Sequence, residues 1–124
     1  MKYILHYLKT ETVSISATRA EVIEIMNTVN SYRFNKDLTA RCKRLINQLD
    51  LVERKRQKQI ADIENCIESI PDADEREMAR LYFVDLLEYE EIGDRFFMDR
   101  RTVARRIKKH TDKWTCFDNQ SIPP

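Results

Sequence analysis

The chain has 124 residues, 42% of them hydrophobic and 35% charged, which bounds it to one domain or to two very small lobes sharing a helix. Its one glycine and three prolines exclude a Gly-rich phosphate cradle, a G-x-G-x-x-G turn, and the turn-dense sandwiches and barrels, so the composition reads as all-α. The net charge of +1 argues at first sight against a nucleic-acid-binding surface.

Residues 1–15 admit two readings. Tyr3, Ile4, Leu5, Tyr7 and Leu8 fit a short docking helix, whereas Val13 and Ile15 alternate as in a strand. The first well-marked helix starts near Thr18, where Thr18 and Glu21 have the spacing of a capping box. Val22, Ile25, Met26 and Val29 then form one apolar face, and Asn30 and Ser31 end the helix. A long helix is predicted from about Asp37 to Ser69, without Gly or Pro inside. Leu38, Cys42, Leu45, Leu49 and Val52 alternate at steps of four and three, and Ile63, Cys66 and Ile70 continue the register. Glu53 to Gln59 contains no apolar residue, and Arg56 and Gln59 fall on the seam. A continuous coiled coil does not normally leave consecutive seam positions polar. The pattern favours a helix packed at both ends and solvated in the middle, over a plain antiparallel bundle or a dimeric coiled coil.

Pro71 stops that helix, and Asp72 or Asp74 can cap the next, whose buried face is Met78, Leu81, Tyr82 and Leu86. After a break at Leu87-Glu88 come a short helix, Tyr89 to Phe96, a turn through Phe97 and Met98, and a last helix from Arg100 to about Lys113. The expected organisation is a helical region with its connecting helix (1–59), a helix-turn-helix lobe (60–114) and a tail (115–124).

Cys42, Cys66 and Cys116 form no C-x-x-C pair, and His6 and His110 have no neighbouring ligand set. No metal, cofactor or catalytic residue is therefore expected, and the chain reads as a cytoplasmic, non-enzymatic protein without a membrane span. Cys42 and Cys66 read as core thiols, His110 as a core or capping histidine, and Trp114 as packing over the end of the last helix.

The stretch from Glu90 to Val103 has the form of a helix-turn-helix. Ile92, Gly93, Phe96, Met98, Val103 and Ile107 are its expected core. Gly93, the only glycine, falls where the two helices cross, a position that wants Gly or Ala. Asp99 is expected to cap the last helix through its carboxylate, a contribution of about 1 kcal/mol. With Val103 set at zero, Ile107, His110 and Trp114 fall within about 40° of it, while Arg101, Arg105 and Lys108 lie opposite at about 140–200°. One face is apolar and the other carries long cations, which is the geometry of a helix that enters the DNA major groove. Charge is segregated accordingly: residues 72–94 hold nine acids and two bases, and residues 100–113 hold seven bases and one acid.

The run E-E-I-G-D-R-F-F-M-D-R-R-T-V-A-R-R-I resembles the helix-turn-helix of sigma factor region 4. It is closer still to the RinA/ArpU-like late transcriptional activators of phages and prophages of Gram-positive bacteria. Ile67 to Asp72 and Tyr82-Phe83 are similar to positions of that family, and the resemblance covers residues 60–111. It implies base contacts by Arg100, Arg101, Ala104 and Arg105, with phosphate contacts by Thr102, Arg106, Lys108 and Lys109. It also implies a sequence-specific double-stranded DNA-binding regulator, with RNA polymerase as a possible partner and dimerisation through the N-terminal helices. The chain departs from the pattern at Phe97, where Gly is frequent, at Asp99, where Ser or Thr is frequent, and at Arg106, where sigma region 4 has an apolar residue. Two other readings compete: a small-terminase-like DNA-packaging protein, and a helical protein-interaction module that binds no DNA.

Overall fold

A computed structural model describes residues 1–114 and shows an all-α protein: α1 (Ile4–Tyr32), α2 (Lys36–Glu68), α3 (Ala73–Phe83), α4 (Tyr89–Phe96) and α5 (Arg100–Thr111). Cys116 and the expected tail lie outside the described residues. Among the described residues no helix is long and apolar enough to cross a membrane. The chain divides into two compact units, Leu8–Lys58 and a second that joins Met1–Tyr7 to the described residues from Gln59 onward.

α1 corrects the reading of the first 32 residues. There is one continuous helix where a short element and a second helix starting at Thr18 were expected. Nothing between Ile4 and Tyr32 breaks a helix, and Leu5, Leu8 and Ile15 are buried at helical spacing. Thr18 does not cap. Its hydroxyl donates back to the Ser14 carbonyl at 3.0 Å, the usual outlet for a mid-helix threonine.

Within residues 8–58, α1 and α2 run antiparallel. Asn30 Nδ2 donates to Thr39 Oγ1 at 2.9 Å, Arg19 pairs with Asp50 at 2.8 Å and with Glu53, and Arg56 Nε donates to Glu11 at 2.9 Å. The polar stretch of α2 is therefore an ion-paired seam at Glu53 and Arg56, not the solvated middle that the sequence suggests. Helix-to-helix pairing of this kind places polar seam residues opposite one another, so each charge is compensated across the hairpin.

The second unit is built on Ile63, Ile67 and Ile70, the last of which precedes the helix-stopping Pro71. Asp72 caps α3, its carboxylate accepting the Glu75 amide at 2.9 Å. Met78, Ala79, Leu81 and Phe83 form the buried face of α3. Leu86 is not part of that helix: α3 ends at Phe83, and Leu86 follows in a left-handed conformation with φ 60°. Asp85 N and Leu87 N close the helix end on the carbonyls of Arg80 and Leu81, at 3.2 and 3.0 Å. Tyr82 stacks on Tyr89 at 4.6 Å, and burial, with a hydrogen bond from the Tyr89 hydroxyl to Tyr82, pushes the Tyr89 phenol up to about 12. Lys2 pairs with Glu88 at 2.8 Å beside the Tyr82 ring, which ties the chain's first residues into this unit. α5 ends at Thr111, short of Lys113, because Lys113 N and Trp114 N turn onto the carbonyls of His110 and Thr111, and Trp114 packs on Phe83 at 5.5 Å.

Candidate nucleic-acid interface

α4, its turn and α5 place the residues that the sequence singles out. The Glu91 carboxylate accepts the Glu88 amide at 3.2 Å and fixes the start of α4. Ile92, Val103 and Ile107 are buried between the helices, and Phe96 and Met98 are half-buried. Gly93 owes its identity to the turn more than to the helix crossing. A Cβ there would sit 2.5 Å from the Met98 carbonyl oxygen, so alanine does not fit as the backbone stands. The Gly93 carbonyl in turn accepts the Met98 amide at 2.9 Å. One residue thus fixes the corner from both sides.

Phe97 ends α4 in a left-handed conformation, φ 56° and ψ 44°, with 96% of its surface exposed. The missing glycine at this position leaves an L-residue in a conformation that costs it about 1–2 kcal/mol. Phe97→Gly is expected to stabilise the protein by about 0.5–1 kcal/mol, because the strain relieved exceeds the extra freedom given to the unfolded chain. The midpoint of thermal or urea unfolding checks this, and a lower midpoint would show that the ring makes a contact of its own. Asp99 occupies the N-cap position of α5, but its carboxylate makes no capping bond, contrary to expectation. Only its carbonyl serves the helix, accepting the amides of Thr102 and Val103 at 3.0 and 3.1 Å.

The outer face of α5 presents Arg101, Arg105 and Lys108, and Arg100 stands at the start of the helix beside the core stripe; all four are exposed and, among the described residues, without an ion pair. Thr102 and Ala104 are half-buried at the edges of this face. Acids border its N-terminal end, where Glu90, Asp94 and Asp99 surround an open cleft with Arg100.

Arg106 and Lys109 point elsewhere. Both reach Glu75 Oε2 at 2.8 Å, and His110 Nε2 lies 2.7 Å from Glu75 Oε1. Arg106 also lies 4.0 Å from Asp72 and 3.5 Å from the Met98 sulfur. The Glu75 side chain is only 4% exposed. Burial alone raises its pKa, but the hydrogen bonds from Lys109, Arg106 and His110 outweigh that and bring it down to about 2. Arg106, expected to meet phosphate, thus faces an acid on α3. Sequence reasoning missed Glu75. The available signal was its place on the apolar stripe of α3, three and four residues before Met78 and Ala79.

No family model, curated protein or solved structure is significantly similar to the chain. Among the described residues no group of three or more His, Cys, Asp or Glu is placed to hold a metal ion. What the geometry offers is a helical corner whose outer face carries the exposed, unpaired cations Arg101, Arg105 and Lys108, which suits the binding of a polyanion.

Proposed function

We propose that the chain is a sequence-specific, double-stranded DNA-binding transcription regulator that places α5 in the major groove. The observation that carries this reading is the row Arg101, Arg105 and Lys108, exposed and unpaired among the described residues, with exposed Arg100 at the start of the same helix, whose opposite face is fixed by Val103, Ile107 and the Gly93 corner. A surface row of like charges without internal compensation raises the electrostatic free energy of the folded state, and a polyanion relieves it. In this reading Arg100, Arg101, Ala104 and Arg105 meet base edges, while Thr102 and Lys108 meet phosphate. The resemblance to sigma region 4 and to RinA/ArpU-like activators extends the proposal to late-gene control in a phage or prophage, in the cytoplasm and in contact with RNA polymerase. The exposed apolar residues Ile25, Leu45 and Val52 on α1 and α2 support self-association through these helices.

Selection of bound duplexes from a random pool at physiological salt tests the proposal, and a palindromic winner identifies a dimer. On the selected duplex Arg101→Ala and Arg105→Ala are each expected to cost about 1–3 kcal/mol, with a smaller loss on random duplex. Equal losses on both would remove their base-reading role. A second reading, a protein-interaction module that leaves DNA alone, draws on the acidic border of Glu90, Asp94 and Asp99 and on the exposed Phe97 ring. Recovery of no duplex at all would favour it.

A further inference from the structure

We propose that Glu75 is a resident substitute for a DNA phosphate: it occupies the anion site made by Arg106, Lys109 and His110 on α5 and withholds two cations from the nucleic acid. The inference rests on the DNA-binding reading and refines which residues meet phosphate. Its basis is the groove between α3 and α5, lined by Asp72, Glu75, Arg105, Arg106, Lys109 and Lys113. The groove is open and spans about 990 Å³, room enough for a phosphodiester segment. Arg105 borders both this groove and the outer face of α5, so the groove lies directly beside the surface proposed for DNA.

The chemistry inside the groove is that of anion recognition already satisfied. Guanidinium and ammonium both donate to one carboxylate oxygen at 2.8 Å, and the imidazole meets the other at 2.7 Å. These are the donors and distances with which proteins hold phosphate. Glu75 is almost entirely buried and held from two successive turns of one helix, whereas the Lys109 side chain is 53% exposed and would otherwise be free to reach a backbone. The effect is selective. Phosphate contacts supply nearly all non-specific affinity, and base contacts supply discrimination. Offsetting Arg106 and Lys109 internally, with Glu75 between them and Asp72 4.0 Å from Arg106, lowers affinity for random DNA while leaving Arg100, Arg101 and Arg105 to read sequence. Glu75 is thus a positioning residue that also sets the ratio of specific to non-specific binding.

The test is the salt dependence of binding to a random-sequence duplex, measured on the full chain. Lys108→Gln is expected to flatten the slope of log K against log salt by about 0.9, one phosphate contact. Lys109→Gln is expected to leave the slope at the wild-type value, because Lys109 is already neutralised. Glu75→Gln is expected to steepen it by about 0.9, one uncompensated cation, since Arg106 keeps Asp72 beside it. Circular dichroism and Trp114 fluorescence establish whether this variant is folded. Should it lose the fold, Glu75→Asp, which keeps the charge but withdraws it by one methylene, is expected to steepen the slope to a lesser degree. A Lys109→Gln slope as flat as that of Lys108→Gln, or a folded Glu75 variant no steeper than wild type, overturns the inference and leaves the DNA-binding reading intact. Wild-type protein with no salt-dependent binding at all removes that reading, and the inference with it.

Discussion

Gly93→Ala is expected to destabilise the C-terminal unit by about 1–3 kcal/mol, the opposite sign from most glycine-to-alanine changes inside helices. Gly93 is helical, without a positive φ, and alanine in such a position ordinarily gains about 1 kcal/mol through helix propensity. Here the added Cβ would lie 2.5 Å from the Met98 carbonyl oxygen and 3.6 Å from the Arg100 amide nitrogen. Both are backbone atoms, so no side-chain rotation relieves the clash. The turn has to move outward, and it is bonded to the same residue through the Met98 amide at 2.9 Å. Stretching that bond adds about 1 kcal/mol to the overpacking cost, which together exceed the propensity gain. The only tryptophan, Trp114, packs 5.5 Å from Phe83 and reports on this unit. Its fluorescence through a urea titration should show a lower midpoint for Gly93→Ala and a lower one again for Gly93→Val. A midpoint for Gly93→Ala at or above wild type would mean that the corner yields cheaply, and glycine would then lose its claim to set the angle between α4 and α5.

The same corner shows where sequence is informative and where it is silent. α4 was readable to its ends because local signals agree: acids in its first turn, Ile92 and Phe96 four apart, and one glycine. α2 was readable because no breaker interrupts it between Lys36 and Glu68. The start of α1 was not. Thr18 and Glu21 have capping-box spacing, but a threonine three residues before a glutamate also occurs inside helices, and only the burial of Leu8 and Ile15 upstream separates the two cases. Leu86 illustrates another failure. Left-handed backbone usually announces itself through Gly or Asn, and a leucine held there by the Leu87 amide on the Leu81 carbonyl carries no local signature. The amphipathic layout of α5 was legible, and the buried Val103 and Ile107 lie on the stripe it defines. The partners of Arg106 and Lys109 were not, because helical periodicity says which face a residue occupies and nothing about which neighbouring helix places an acid opposite. Asp99 makes a related point: its residue type suits an N-cap, yet whether the side chain or only the carbonyl serves the helix depends on a rotamer that spacing does not encode.

Acid should expose the Glu75 cluster in a way that no neutral-pH measurement does. In the folded chain burial pushes the Glu75 carboxyl up, but the donors Lys109, Arg106 and His110 pull it further down, to about 2 from an ordinary 4.5. A depressed carboxylate stabilises the fold fully above its unfolded pKa and loses that contribution as pH falls through the folded value. The window therefore runs from about 4.5 down to about 2, and the shift corresponds to roughly 3 kcal/mol for a group this well buried. The charged groups around it are Arg106, Lys109 and His110 on α5 and Asp72 at the head of α3, where Arg106 lies 4.0 Å from the Asp72 carboxylate. Glu68 is also held low by Arg80, but both side chains are solvent-screened and add little. The urea midpoint read by Trp114 should thus fall steeply for wild type across this window. Glu75→Gln should start lower at neutral pH, since it leaves two cations facing an amide, and should then decline less. The two profiles are expected to converge as pH falls through about 2, where the wild-type carboxyl itself takes up its proton. Parallel profiles that never converge would mean that the bonds to Arg106, Lys109 and His110 only offset the burial of Glu75, and that the acid sensitivity of the fold resides in other carboxylates.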